Sequence, residues 1–246
     1  MNRIEDYEVL RNRIVEWIRN YAESNGIKSL VVGVSGGIDS AVTSTLAAET
    51  GLMTYCIGMP LHQKEEQESL SDIHLDWLGD TYWDTKTEKF DLTDTFQVFE
   101  KTMRGYGKDK LALANSRSRL RMVTLYQVAQ TVGGIVVGTG NKVEDYGIGF
   151  YTKYGDGGVD IAPIADLYKS EVWELGRHLG VNERIINAKP TDGLWDDGRN
   201  DEDQIGASYA QLEEAMEHRT GPAVEILDKF SKQNRHKMEP IPTFLL

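Results

Sequence analysis

The sequence predicts an α/β fold in which a parallel sheet is flanked by helices. Three observations carry that expectation: short apolar runs of strand length, spacers between them long enough to hold helices, and a glycine-serine turn where the first run ends.

Taken in chain order, Ile4, Tyr7, Leu10, Ile14, Trp17, Ile18 and Tyr21 recur at three- and four-residue intervals, which places one apolar stripe on a helix ending near Gly26. Apolar runs follow at 29–34, 54–58 and 134–138 and read as strands in a βαβ rhythm. Leu120, Val123, Tyr126 and Val128 predict a helix before the third run. Val172, Leu175 and Leu179 predict another, and Ile205, Tyr209, Leu212 and Met216 a further one. The glycine- and aspartate-rich stretch 192–203 reads as a mobile loop, with Leu194 and Trp195 as its apolar members. Residues 232–242 are polar and proline-marked and receive no element.

Composition narrows the function. A chain of 246 residues, 40% hydrophobic and 27% charged, buries a substantial core and fits one domain over 1–246. Twenty-seven Lys and Arg against 39 Asp and Glu leave a formal charge of −12, which argues against nucleic acid, whose phosphates need clustered cations. Cys56 is the single cysteine, so an intrachain disulfide or a CxxC metal site is excluded, and its apolar neighbours Tyr55 and Ile57 make it a core thiol. The first 20 residues are charged throughout, and no apolar run reaches the ~18 residues of a membrane span. A cytoplasmic location is therefore expected, with no membrane partner.

The chemistry begins at Gly33-Val34-Ser35-Gly36-Gly37-Ile38-Asp39-Ser40, which leaves the first strand and enters a helix near Ala41. Glycines let the backbone turn tightly, and successive N–H groups at a helix start make an anion site between two serine hydroxyls. Phosphate is the expected guest. The lysine of a Walker A loop is missing. Asp39 would repel phosphate unless a divalent cation lay between them, which points to Mg²⁺. The third run ends in Gly138-Thr139-Gly140-Asn141-Lys142-Val143-Glu144. Ligands of an open parallel sheet lie beyond the carboxyl ends of its strands, so Thr139 and Glu144 should share an edge with the 33–40 loop. Asp39 and Glu144 then suit a hard cation that takes its other oxygens from water and phosphate.

The Ser-Gly-Gly-Ile-Asp-Ser loop resembles the pyrophosphate loop of the N-type ATP pyrophosphatases, which cleave ATP between the α and β phosphates. Gly149-Phe150-Tyr151-Thr152-Lys153-Tyr154-Gly155-Asp156-Gly157-Gly158, with Asp160 and Pro163 beyond it, narrows the resemblance to the NAD synthetases. Ala114-Asn115-Ser116-Arg117-Ser118-Arg119-Leu120-Arg121-Met122, Lys189-Pro190-Thr191 and His236-Lys237 extend it over nearly the whole chain. The glutamine-using members carry an additional nitrilase-like domain with a catalytic cysteine, so this chain looks like the short, ammonia-dependent form.

The resemblance implies a Rossmann-like sheet of the adenine nucleotide alpha hydrolase-like kind and a homodimer. It implies that the 33–40 loop holds the ATP phosphates, that Thr139, Lys169 and Thr191 touch ATP, and that Asp39 and Glu144 ligate Mg²⁺. Arg119, Lys153, Asp160, His236 and Lys237 match positions that bind deamido-NAD, and Asp156 and Lys169 match catalytic ones, Asp156 in the ammonia step. One departure is visible: Asp145-Tyr146-Gly147-Ile148, between Glu144 and Gly149, is one residue longer than in many bacterial members.

The reaction so implied joins ammonia to the nicotinate carboxylate of deamido-NAD, with ATP supplying the leaving group and AMP and pyrophosphate as products. A carboxylate resists attack by ammonia until one oxygen is adenylated, and no serine or cysteine with an obvious base offers an acyl-enzyme route. The alternatives are another N-type ATP pyrophosphatase that amidates or thiolates a nucleotide or tRNA, and a non-catalytic ATP-sensing module. The net charge of −12 and the single cysteine count against tRNA thiolation.

Overall fold

Four parallel strands, β1 (Ser29–Gly33), β2 (Met53–Gly58), β3 (Thr85–Lys89) and β4 (Gly134–Val136), form one sheet in the spatial order β3-β2-β1-β4. The computed structural model describes residues 3–62, 65–107, 109–191 and 200–245. The expected α/β class is what folds. The three apolar runs become β1, β2 and β4, and β3 is a strand the apolar pattern did not reveal. It lies at the sheet edge with most of its side chains in solvent, so Lys86, Glu88 and Lys89 cost nothing there.

Helices cover both faces. On one side α1 (Tyr7–Ser24), α2 (Ile38–Ala48) and α6 (Lys169–His178) bury Ile18, Leu46 and Leu175 against Leu30, Val32 and Ile135. On the other, α4 (Thr93–Thr102) and α5 (Lys110–Val132) bury Phe96 and Ala129 against Val31, Ile57 and Val136. Residues 30, 31 and 32 thus alternate between the two layers, as strand geometry requires. The predicted first helix is α1: Asp6 caps it by accepting the N–H groups of Glu8 and Val9, and the chain turns away at Gly26 with φ +65°. Helix α3 (Glu65–Thr81) packs on β2 and β3.

A second assembly gathers beyond the sheet. A π-helix (Val143–Ile148), α9 (Tyr209–His218) and α10 (Val224–Met238) share a core of Val143, Ile148, Tyr209, Leu212 and Leu227. Part of 232–242, left without an element on sequence, is the second half of α10. Its side chains are mostly exposed, which hides the apolar stripe there. The short helix α7 (Glu183–Ile186) precedes the stretch 192–203 expected as a mobile loop, and α8 (Asp201–Ile205) takes up its last three residues. Residues 192–199, with Leu194 and Trp195, fall outside the described residues; Asn200 caps α8 by accepting the N–H of Asp203 at 2.8 Å, Gly206 at φ +85° ends it, and Ser208 caps α9, so the stripe from Ile205 to Met216 that predicted one helix is split between two.

Cys56 is a fully buried core thiol, and burial pushes it up to about 12. His74 is equally enclosed, stacked on Trp77 with ring centroids 5.4 Å apart and with Nε2 3.0 Å from Ser44 Oγ. Burial pulls its pKa from 6.5 down to about 4. Between those values the unfolded chain takes up a proton that the folded one does not, so stability should fall as pH drops through that window. The loss should reach about 3 kcal/mol near the lower limit. Urea unfolding between pH 7 and 4 tests this, because His74→Phe should remove that part of the slope; equal slopes in parent and variant would assign the loss to other groups.

Candidate active site

The strand order reverses direction beside β1, with β2 and β3 on one side and β4 on the other. Such a switch point opens a crevice at the carboxyl ends of the two diverging strands. Here the crevice receives the loop after β1 and the segment after β4, as the sequence predicts, and its walls enclose about 1450 Å³.

The loop is closed by Ser40. Its hydroxyl accepts the Ser35 N–H at 3.2 Å and donates to the Gly37 carbonyl at 2.9 Å, while Ser35 Oγ lies 3.1 Å away. Gly36 sits at φ +88°, a conformation a side chain would strain. Helix α2 begins here with Gly37 as its cap and no side chain satisfying its first N–H groups, so those donors face the crevice. Asp39 is in that first turn, where the helix field favours a carboxylate.

Asp39 is not alone. The Lys169 ammonium, on the first residue of α6, lies 2.5 Å from Asp39 Oδ2 and 3.1 Å from Glu144 Oε1. Lys169 is 2% exposed, against 16% and 17% for the two carboxylate side chains. Burial alone would pull the ammonium pKa down, but the charges of Asp39 and Glu144 outweigh it and hold the pKa above its ordinary value. Lys169 is therefore a cation at neutral pH. Burial pushes the Asp39 carboxyl up, and Lys169 pulls against it.

Asn141, fully buried, ties the two carboxylates together. Its amide donates to Asp39 Oδ1 at 3.2 Å, and its carbonyl accepts the N–H groups of Val143 and Glu144 at 3.1 and 3.2 Å. It is thus a cap for the turn that carries Glu144, a role its position before an acidic helix start could have disclosed. Tyr209, 1% exposed, donates to Glu144 Oε1 at 2.7 Å. On sequence it reads only as part of an apolar helical stripe.

Farther along the same crevice, Asp156 Oδ1 accepts from Ser118 Oγ at 2.6 Å and from the Thr152 N–H at 3.0 Å. Desolvation pushes its carboxyl up, against the pull of those hydrogen bonds. Asp145, half-buried, is pushed up to about 7 by desolvation and by Glu144, Asp156 and Asp39. Cations line the opposite rim: Arg119 Nε donates to the Lys153 carbonyl at 3.2 Å, Lys153 Nζ to the His236 carbonyl at 3.0 Å, and Lys237 Nζ to the Tyr151 carbonyl at 2.8 Å. The 33–40 loop, Thr139, Thr191 and His236 border this crevice as well. Asp160 does not. Its carboxylate accepts the Val136 N–H at 2.7 Å and the Tyr126 hydroxyl at 3.1 Å, fastening α5 to β4 outside the cleft.

Comparison with known proteins meets this geometry from another direction. Residues 10–241 match the family model described as NAD synthase. The chain belongs to the NAD synthase family. A relative in this family, the NH(3)-dependent NAD(+) synthetase of Methanosarcina acetivorans, is 38% identical over 96% of this chain and 98% of its own. Among solved structures of the family's likeness, the NMN synthetase of Francisella tularensis superposes with a TM-score of 0.92 at 29% identity, covering 99% of this chain and all of that one. The NAD⁺ synthetase of Burkholderia pseudomallei superposes with a TM-score of 0.76 at 25% identity, over 95% of this chain and 90% of that one.

The buried triad yields a prediction independent of turnover. Lys169→Met leaves two carboxylates facing one another without a counter-ion, at a cost of about 3 kcal/mol. Its thermal midpoint should fall well below the parent's and recover as Mg²⁺ is added, while the parent's moves little. A variant as stable as the parent and indifferent to Mg²⁺ would show that the three groups are not electrostatically coupled.

Proposed function

We propose that this chain is an ammonia-dependent ligase that amidates deamido-NAD, consuming ATP and releasing AMP and pyrophosphate. The reading rests on one observation, a phosphate-type loop whose own carboxylate shares a cation with Glu144 at the switch point of a sheet in the NAD synthase family.

In this reading the 33–40 loop and the uncapped start of α2 take the ATP phosphates, and Thr139 and Thr191 touch the nucleotide. Asp39 and Glu144 fit Mg²⁺, since a single cationic atom already lies within contact of both. Among the described residues no group of three or more His, Cys, Asp or Glu side chains forms a protein-only metal cage. That suits an ion that keeps waters and phosphate oxygens, and its chemistry here is to neutralise charge growing on the phosphates. Lys169 is the catalytic cation that turns from the carboxylates to the transferring phosphoryl group. Arg119, Lys153 and Lys237, with His236 beside them, receive the dinucleotide, and Asp160 holds the wall behind them. Once the nicotinate carboxylate is adenylated, ammonia attacks its carbon and AMP leaves. Asp156, its pKa raised, takes the proton that the attacking nitrogen sheds. The enclosing walls protect the adenylate from water.

Exposed Leu111 and Val123 on α5, with Val98 on α4, support a homodimer joined through α5. Among the described residues no helix is long and apolar enough to cross a membrane. With a reduced core thiol, this supports one domain working in the cytoplasm.

A second reading has a specific observation behind it: the likeness to the Francisella tularensis NMN synthetase. Nicotinate mononucleotide carries the same carboxylate, so the same steps would amidate it. The rim cations favour the dinucleotide, whose pyrophosphate needs positive partners.

Two outcomes test the function. Asp39→Asn and Glu144→Gln should each fold and lose on the order of a hundredfold in turnover, with partial recovery at raised Mg²⁺. Unaltered activity at low Mg²⁺ would sink the shared-ion model. With ATP and ammonium, kcat/KM for deamido-NAD should exceed that for nicotinate mononucleotide by about tenfold or more, since one lost charged contact set is worth at least ~1.4 kcal/mol. Mass detection of each product reads the ratio, and a reversed ratio would transfer the assignment to the mononucleotide.

A further inference from the structure

We propose that Tyr209 is a positioning residue of this site, whose hydroxyl fixes one oxygen of Glu144 so that the other is left free to face a metal ion. The inference rests on the reading of Asp39 and Glu144 as the metal-holding pair.

The phenol is held from every side. Tyr209 opens α9, and its backbone N–H donates to Glu202 Oε1 at 2.9 Å. Trp173 of α6 meets its ring edge-on with centroids 6.2 Å apart, and Lys169 Nζ lies 4.8 Å from the ring centroid. Its hydroxyl is 2.7 Å from Glu144 Oε1 and 3.3 Å from Asp201 Oδ2. A hydroxyl has one proton, and the shorter contact takes it.

Glu144 Oε1 therefore accepts from both Lys169 and Tyr209, whereas Oε2 accepts no hydrogen bond among the described residues. A glutamate on its own turns about three side-chain torsions, the last of them soft, and would present either oxygen, or neither. With Oε1 pinned by a charged donor and a neutral one, the carboxylate plane is set. A phenylalanine would fill the same space against Trp173 and Lys169 without that donor, so filling the core does not account for the hydroxyl. Carboxylate ligands of metals are commonly oriented by such outer hydrogen bonds, whose removal costs roughly 10- to 100-fold in metal affinity or activity. The ring serves a further purpose: its face carries the Lys169 ammonium, so one residue orients both the carboxylate and the cation beside it.

The test separates orientation from folding and from the function assigned above. Calorimetry measures binding of α,β-methylene-ATP with and without Mn²⁺, and the ratio of the two affinities is the metal-dependent gain. Tyr209→Phe should lower that gain about tenfold while leaving the metal-free affinity within about twofold. In a Glu144→Gln background, adding Tyr209→Phe should cause no further loss, because the partner it orients is gone. A gain within about twofold of the parent's, or losses that simply add in the double variant, would overturn the positioning role and leave the metal reading standing. A parent protein with no metal-dependent gain would overturn both.

Discussion

Everything at this site hangs on one buried ammonium. Lys169 is brought by α6, Asp39 by α2 and Glu144 by the turn after β4, so a contact of three side chains joins segments 130 and 25 residues apart. Removing three charged groups from water is costly, and mutual attraction offsets the cost only when geometry and supporting hydrogen bonds are good. The support is present: Asn141 on Asp39, Tyr209 on Glu144, and Tyr209 again beneath the ammonium. The arrangement also opposes a field, because Lys169 begins a helix whose N-terminus repels cations. The carboxylates have to overcome that as well. A site so balanced has a natural exchange built in, since any cation that relieves the carboxylates frees the lysine to meet an anion.

The π-helix at 143–148 is the second constraint. A π turn holds one more residue than an α turn over the same rise, which absorbs an extra residue without shifting what lies on either side. Asn141 caps its start, and Gly149, at φ +61°, ends it. Two glycines allow its close packing: a Cβ on Gly147 would lie 2.6 Å from Met216 Sδ, and one on Gly149 would lie 2.6 Å from Asn234 Cβ. Glu144 and Asp145 are consecutive in this turn, so the widened spiral sends one toward Lys169 and leaves the other against Gly140, facing the Asp156 side of the crevice. The turn thus sets Glu144 and the 149–158 segment at fixed places along one crevice.

What the sequence disclosed follows from where chemistry is local. The 35–40 turn is legible because glycines, serines and an aspartate act through their own backbone within six residues. The carboxylates at 39 and 144 were legible as a pair because sheet topology alone brings the ends of β1 and β4 together. Three things were not legible. Strand β3 has the side chains of a surface because it is one. The second half of α10 holds Lys237 over carbonyls rather than over an apolar stripe, so periodicity says little about it. Tyr209 carries a helix-stripe pattern and a site hydroxyl at once, and periodicity reports only the first. Asp160 shows the converse: a charged residue in a motif-rich stretch whose carboxylate works as a strand fastener.

An acidic protein that receives polyanions looks contradictory until distance is considered. The formal charge of −12 is a sum over the whole surface, and at physiological salt a surface charge is screened beyond about 8 Å. A bound phosphate therefore responds to its own neighbourhood. In that neighbourhood acids and bases are even, with six of each along the crevice among the described residues, and placement decides: Lys169 is buried with its charge kept, Arg119, Lys153 and Lys237 are spaced along one rim, and the start of α2 contributes N–H groups that no side chain caps. Lys237 is drawn down by burial, as a cation held in partial isolation from water must be. Such a cation gains most from a phosphate that restores its solvation.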